Sequence, residues 1–242
     1  WGRDRETTER TLECVHCGSV SSVSAMVFME DSDRAAGLAR EHEIDAGLHL
    51  NLTTTFSASH CPAPLVEHQR QVAAYLLWHP IARVFFHPAL LSSFEYVVSA
   101  QREEFARLYG AEPGRIDGHH HMHLCANVLL GGLLPPGILV RRHFSYESGE
   151  KILRNAVFRQ FTNILLARRH RRVDYFFSLP PLEPRVRLQW IFSLARQFAV
   201  EVETHPIHPE EYRFLMGGDV FHWTGDCPIA SSFVRAAESR LP

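Results

Sequence analysis

Hydrophobic and polar positions along the chain switch repeatedly between a helical and an extended period. Residues 8–17 place Leu12, Cys14 and Val15 at helical spacing and stop at Gly18, a residue suited to leaving a helix. The apolar stretch 20–29, through Val23, Ala25, Val27 and Phe28, predicts a strand. Residues 31–41 predict a helix with Ala35, Leu38 and Ala39 on one face, and 45–52 a short strand. Helix, strand, helix, strand is the rhythm of βαβ units around a parallel sheet.

The same alternation continues. A polar loop spans 53–64, and a helical region broken near Pro80 and Pro88 leads into a strong helix at about 91–109. Strands are predicted at 115–117, 138–141, 173–179 and 200–204. Helices are predicted at 128–134, 149–171, 185–198 and 231–239. No internal repeat or low-complexity segment interrupts the pattern. A length of 242 residues suits one α/β barrel domain covering 1–242.

Charge narrows the function classes. The 25 basic and 27 acidic residues leave a net charge of -2 with no basic face, so nucleic acid is not an expected partner. No long uninterrupted apolar run predicts a membrane span, and no leader pattern is present. Five scattered cysteines fit a reducing cytoplasm. Cys14 and Cys17 lie in a predicted helix without a downstream pair, which favours two buried small residues over a redox or zinc pair. The basic run 168–172 ends a predicted helix, where it complements the helix dipole and faces solvent. Glycine-rich phosphate loops, a nucleophile elbow and an HExxH motif are all missing.

The chemistry concentrates in three histidine-bearing segments, each following a predicted strand. They are Gly47-Leu48-His49-Leu50-Asn51-Leu52, Asp117-Gly118-His119-His120-His121-Met122-His123 and Glu203-Thr204-His205-Pro206. In parallel α/β folds the C-terminal strand ends face one crevice, so histidines distant in sequence can meet there. Four histidines within five residues, headed by an aspartate, point to metal or catalytic use. Imidazole suits Zn, Ni, Fe and Mn, and added carboxylate or water also admits Mg. Asp117 is placed to accept a hydrogen bond from a ligand histidine and fix its tautomer. His205 alone reads as a loop histidine, raised toward general acid only by its place after a strand.

Together these segments resemble the YdjC-like carbohydrate deacetylases over nearly the whole chain. Residues 18–24 are similar to the family's strand after its first helix, Gly47 to Leu50 to its GLHL strand, and 117–123 to its D-S/G-H-x-H-x-H signature. Residues 137–141 resemble the strand ending in a site arginine, and 201–206 a Glu-to-His-Pro segment. The resemblance implies a TIM-like, seven-stranded β/α barrel, commonly a homodimer. The implied reaction is hydrolysis of an N-acetyl group from an amino sugar or oligosaccharide, lipid-linked or not. It implies one divalent metal ion, Mg or Zn, held by His49 and His119, with His205 as general acid and Arg141 as site arginine. Asp117, His121, His123 and Asn51 are assigned to substrate contact or to support of the ligands. The family opens with a strand ending in Asp-Asp-Phe-Gly, and Trp1-Gly2 matches its last two residues. The expectation is therefore a domain incomplete at its start, with the first strand and two site aspartates preceding Trp1. Ser178 stands where the family commonly has glycine, which bears on the substrate groove. The rival readings are a non-catalytic metal- or glycan-binding member of the same fold, and an amidohydrolase-type barrel. The latter wants a His-x-His at its first strand, which is not seen.

Overall fold

The computed structural model describes residues 1–78, 81–145, 153–225, 229–230 and 232–233. Helix α1 (Arg5–His16) opens at Asp4, whose carboxylate accepts from the Thr7 amide at 2.8 Å, an N-cap. Then follow β1 (Val23–Ala25), α2 (Ser32–Glu41), β2 (Ala46–Leu50), α3 (Ala63–Trp78) and α4 (Leu91–Tyr109). Next come β3 (Arg115–Gly118), a tight turn through the histidine cluster, α5 (Ala126–Leu130) and β4 (Leu139–Val140). The described residues end with α6 (Leu153–Ala167), β5 (Tyr175–Ser178), α7 (Arg185–Leu194), β6 (Val200–Glu203), α8 (Pro209–Met216) and α9 (Asp219–Thr224).

All strand pairs among the described residues are parallel, and helices alternate with them, so this is a mixed α/β protein. Strands β1 to β4 form one sheet in chain order, and β5 pairs with β6 in a second. A bridge between Leu139 and Arg171 links the first sheet toward the second, with the Val140 amide donating to the Arg171 carbonyl at 2.9 Å. Arg171, expected in a solvent-facing helix end, therefore serves the sheet instead. The register matters for chemistry: Ser24 lies beside Gly47, and His49 beside Asp117. The main core packs Leu48, Leu50, Ile116 and Val140 against Ala35 and Ala39 of α2 and Phe94, Val97 and Phe105 of α4. A second cluster joins Leu179, Leu188, Phe192, Phe214, Leu215 and Val220 around the buried Cys14. Cys17 is exposed, so only one of the two cysteines in that helix is a buried packing residue.

Several predicted elements shift. The strand expected at 20–29 shrinks to Val23–Ala25. Met26 to Met29 are buried as a loop, because Ser32 Oγ accepts from the Met29 amide and donates to the Met26 carbonyl, turning the chain into α2. Phe28 takes a positive φ of 58° in that loop and packs edge-on against Phe56. The helix expected at 128–134 starts and stops earlier, at Ala126 and Leu130. Helices α8 and α9 were not anticipated, although Pro209 with Glu210 and Glu211 in the first turn is a start signal. The helix expected at 231–239 falls outside the described residues except for Ser232 and Phe233. No helix among the described residues is long and apolar enough to cross a membrane.

Candidate active site

The site grows from the C-terminal ends of β2 and β3. Asp117 is fully buried, and its Oδ1 lies 2.5 Å from His49 Nδ1. A carboxylate accepts only, so His49 carries its proton on Nδ1 and turns Nε2 outward. Asp117 Oδ2 accepts from Ser24 Oγ at 2.5 Å, Arg115 Nη1 at 3.1 Å and Arg141 Nη2 at 3.0 Å. Arg141 continues the network, donating from Nε to Glu201 at 2.6 Å and from Nη1 to Glu203 at 2.8 Å. Burial opposes ionisation of Asp117, but Arg141, His49 and Arg115 outweigh it and hold its carboxyl well below the usual range. Burial raises Glu201 and Glu203 instead, with Arg141 opposing.

Two glycines make this packing possible. A Cβ at Gly47 would lie 2.8 Å from Arg115 Cζ, so glycine lets the guanidinium press against β2. A Cβ at Gly118 would lie 2.8 Å from His123 Nδ1. Beyond Gly118, His120 and His121 both adopt left-handed conformations, at φ 53° and 56°. Each such residue costs roughly 1–2 kcal/mol, strain that concentrates at functional sites.

That turn sends the four histidines different ways. His119 Nδ1 comes within 3.4 Å of His49 Nε2. His120 Nδ1 lies 3.2 Å from Thr53 Oγ1. His121 packs edge-on against Phe144 and Phe176. His123 is fully buried and donates from Nε2 to the Arg141 carbonyl at 2.9 Å, so it supports the arginine. Burial lowers His119 to about 4 and both His121 and His123 to about 3, leaving all three neutral at pH 7.

His205 follows β6 and lines the same cavity of about 260 Å³ as His49, His119, Arg141 and Glu203. Its amide donates to Glu211 Oε2 at 2.8 Å, as does Thr204 Oγ1 at 2.9 Å. Its ring Nδ1 stands 3.9 Å from Glu211 Oε1. Burial lowers the His205 pKa, with Glu211 pulling the other way. Asn51 stands apart from this cavity. It is fully buried, donates to the Thr54 carbonyl at 2.7 Å and accepts from the Thr54 amide at 2.9 Å. Its side chain supports the loop after β2.

The His49–His119 pair fits a metal ion. Two donors sharing one tetrahedral ion at bond lengths of about 2.0–2.1 Å sit roughly 3.4 Å apart, the separation seen between Nε2 and Nδ1. The Asp117–His49 contact supplies the outer carboxylate that fixes a ligand imidazole. Among the described residues, no third histidine, cysteine or carboxylate completes a three-donor group with this pair. The sequence assigns no site role to Ser24, Arg115, Glu201, Glu203 or Glu211, although Ser24, Glu201 and Glu203 lie in stretches named above. Arg115 with Asp117, and Glu201 with Glu203, stand two apart on a strand and so share a face, a signal available in principle.

The buried neutral His123 makes stability depend on pH. An unfolded histidine titrates near 6.5, so the unfolded chain takes up the proton first, and the contribution present above that pH is lost as pH falls toward 3. Between pH 7 and pH 5 this residue alone should cost about 2 kcal/mol. Denaturant melts at the two pH values check this, and His123→Gln should flatten the slope. Equal wild-type stability at both would contradict it.

The family profile described as YdjC-like protein matches residues 2–217. The chain belongs to the YdjC-like family. Its relatives include a chitooligosaccharide deacetylase of Proteus mirabilis, 30% identical over 125 residues, which are 51% of this chain and 47% of that one. A carbohydrate deacetylase of Mus musculus is 30% identical over 126 residues, covering 50% of this chain and 39% of the relative. A carbohydrate deacetylase of Clostridium beijerinckii is 24% identical over 192 residues, with 78% and 71% covered. This YdjC-like chain thus spans less than half the length of the first two relatives. An Enterococcus faecalis crystal structure, described as a candidate cellobiose-phosphate cleavage protein, superposes with TM-score 0.55 at 19% identity, covering 99% of this chain and 91% of that one. That likeness establishes a shared fold.

Proposed function

We propose that this YdjC-like domain is a metal-dependent carbohydrate N-deacetylase acting on an amino sugar or an oligosaccharide, lipid-linked or free. The observation that carries the reading is the convergence of His49 Nε2 and His119 Nδ1 at 3.4 Å, with Asp117 behind His49. The deacetylase names of its relatives support the same reaction class. We read the six described strands as part of a TIM-like seven-stranded barrel forming a single domain. The Leu139–Arg171 bridge and the cavity flanked by β1 and β6 support that reading.

His49 and His119 would hold the divalent ion, Zn or Mg. When bound there, the ion supplies Lewis-acid polarisation of the acetyl carbonyl and a more acidic water. Asp117 keeps the His49 proton on Nδ1, leaving the Nε2 lone pair free for ligation. Arg141 lines the cavity with its guanidinium committed to Asp117, Glu201 and Glu203, so its charge is balanced there and its part is to hold the Asp117–His49 pair in place. The amide C–N bond breaks, water supplies the hydroxyl of acetate, and the amine nitrogen gains a proton from His205. Since His205 is held mostly neutral near pH 7, it delivers a proton first released by the attacking water. Such transfer contributes on the order of 10²–10⁴-fold. His121 and His123 support the turn and the arginine.

Acetate release tests the reading. The full-length protein, with added Zn²⁺ or Mg²⁺, should free acetate from N-acetylglucosamine oligomers or from an N-acetylated lipid-linked sugar. Absence of release from every such substrate by a metal-loaded, folded protein would overturn it. A second reading, binding of metal or glycan without turnover, draws on the two-donor count among the described residues. Saturable binding without acetate would select it.

A further inference from the structure

We propose that His205, His208 and Glu211 form a second metal site at the rim of the cavity, one that takes Zn²⁺. One donor atom from each residue lies within 4.8 Å of the other two. Two imidazoles and one carboxylate are a zinc donor set, and imidazole nitrogen favours zinc-class ions over Mg or Ca. The arrangement is built into the backbone. His205 lies in the loop just after β6, and His208, three residues on, is the N-cap residue of α8 without a side-chain capping bond. Glu211 lies in the first turn of that helix, two residues inside Pro209.

Glu211 is the anchor. It is buried, and its Oε2 is committed to the His205 amide and to Thr204 Oγ1. Its Oε1 is left facing His205 Nδ1 at 3.9 Å. The rings of His205 and His208 stand edge-on at 5.8 Å between centroids. Both histidines keep part of the ring open to solvent, so their side chains have room to close the remaining distance, at most roughly 1.4 Å, to a tetrahedral donor spacing of about 3.4 Å. A lowered pKa at His205 leaves its ring unprotonated near neutral pH, the form that ligates.

Position gives the site a consequence. His205 lines the cavity that also holds His49 and His119. An ion on His205 takes the lone pair that would otherwise carry the proton to the leaving amine, so excess zinc inhibits hydrolysis. This consequence rests on the proton-delivery role proposed above; the site itself does not.

The decisive variant is His208→Ala, which removes one ligand, touches no capping bond and leaves His205 in place. Metal-free full-length protein, wild type and variant, is titrated with Zn²⁺ by calorimetry and with Co²⁺ by visible absorption, without substrate. The wild type should bind one more equivalent than His208→Ala, or bind that equivalent at least tenfold more tightly. In acetate release, the variant should match wild type at low Zn²⁺ and lose the inhibition at high Zn²⁺. Identical stoichiometry and affinity in the two proteins would overturn the site. Zinc inhibition of equal strength in both would overturn its inhibitory role. If neither protein releases acetate while wild type binds the extra equivalent, the site stands and the deacetylase reading fails.

Discussion

Asp117→Asn should lower folding stability by about 3–5 kcal/mol, the cost of removing one partner from a buried ion-pair network. Asp117 is fully buried and accepts four bonds, from His49, Ser24, Arg115 and Arg141. An asparagine offers one acceptor oxygen where two are used, and its amide would aim donors at donors. Arg115 and Arg141, 2% and 6% exposed, would keep their charges with less to balance them. For a domain of this size the loss corresponds to a fall in Tm on the order of 10 °C. Because the same carboxylate fixes the His49 tautomer, metal affinity should also fall by roughly 10–100-fold. Urea unfolding and metal titration measure the two effects. A stability change under about 1 kcal/mol, the range of an exposed pair, would mean that the network is solvated.

The histidines of this network were legible in the sequence because histidine after an apolar strand is conspicuous. Register then did what the strand ends promised, setting His49 beside Asp117 and bringing His119 to His49. The arginines were harder to find. Arg115 opens a short strand and looks like a surface residue, since buried arginine is rare unless paired. Its burial follows from Gly47 opposite it and Asp117 two residues on, a relation that only the fold creates. Glu201 and Glu203 were hidden for the same reason, as their meaning depends on Arg141 arriving from another strand. Asn51 was drawn into the site by its place after His49, yet its side chain satisfies the loop backbone. The strand expected at 20–29 shows the limit of apolar pattern. Burial of Met26 to Met29 is real, but it is achieved outside a strand, with the Met26 amide donating to the Trp1 carbonyl and the turn held by the Ser32 hydroxyl and a positive φ at Phe28.

His119→Ala should remove the metal chemistry while sparing the fold. His119 contributes Nδ1 to the pair, and its ring otherwise packs on His49 and His120 rather than in the apolar core. Loss of one of two imidazoles should abolish tight binding of the ion there. A Lewis acid contributes several kcal/mol to acyl transfer, so kcat/KM should fall at least about 10³-fold. The variant should keep its melting transition within a few degrees of wild type in the absence of metal.

The most direct test is therefore acetate release from N-acetylglucosamine oligomers by chelator-stripped full-length protein as Zn²⁺ or Mg²⁺ is added back, wild type beside His119→Ala. The account predicts release that rises with metal in the wild type and stays at background in a folded His119→Ala. Equal release by the two proteins, or wild-type release indifferent to metal, would contradict it.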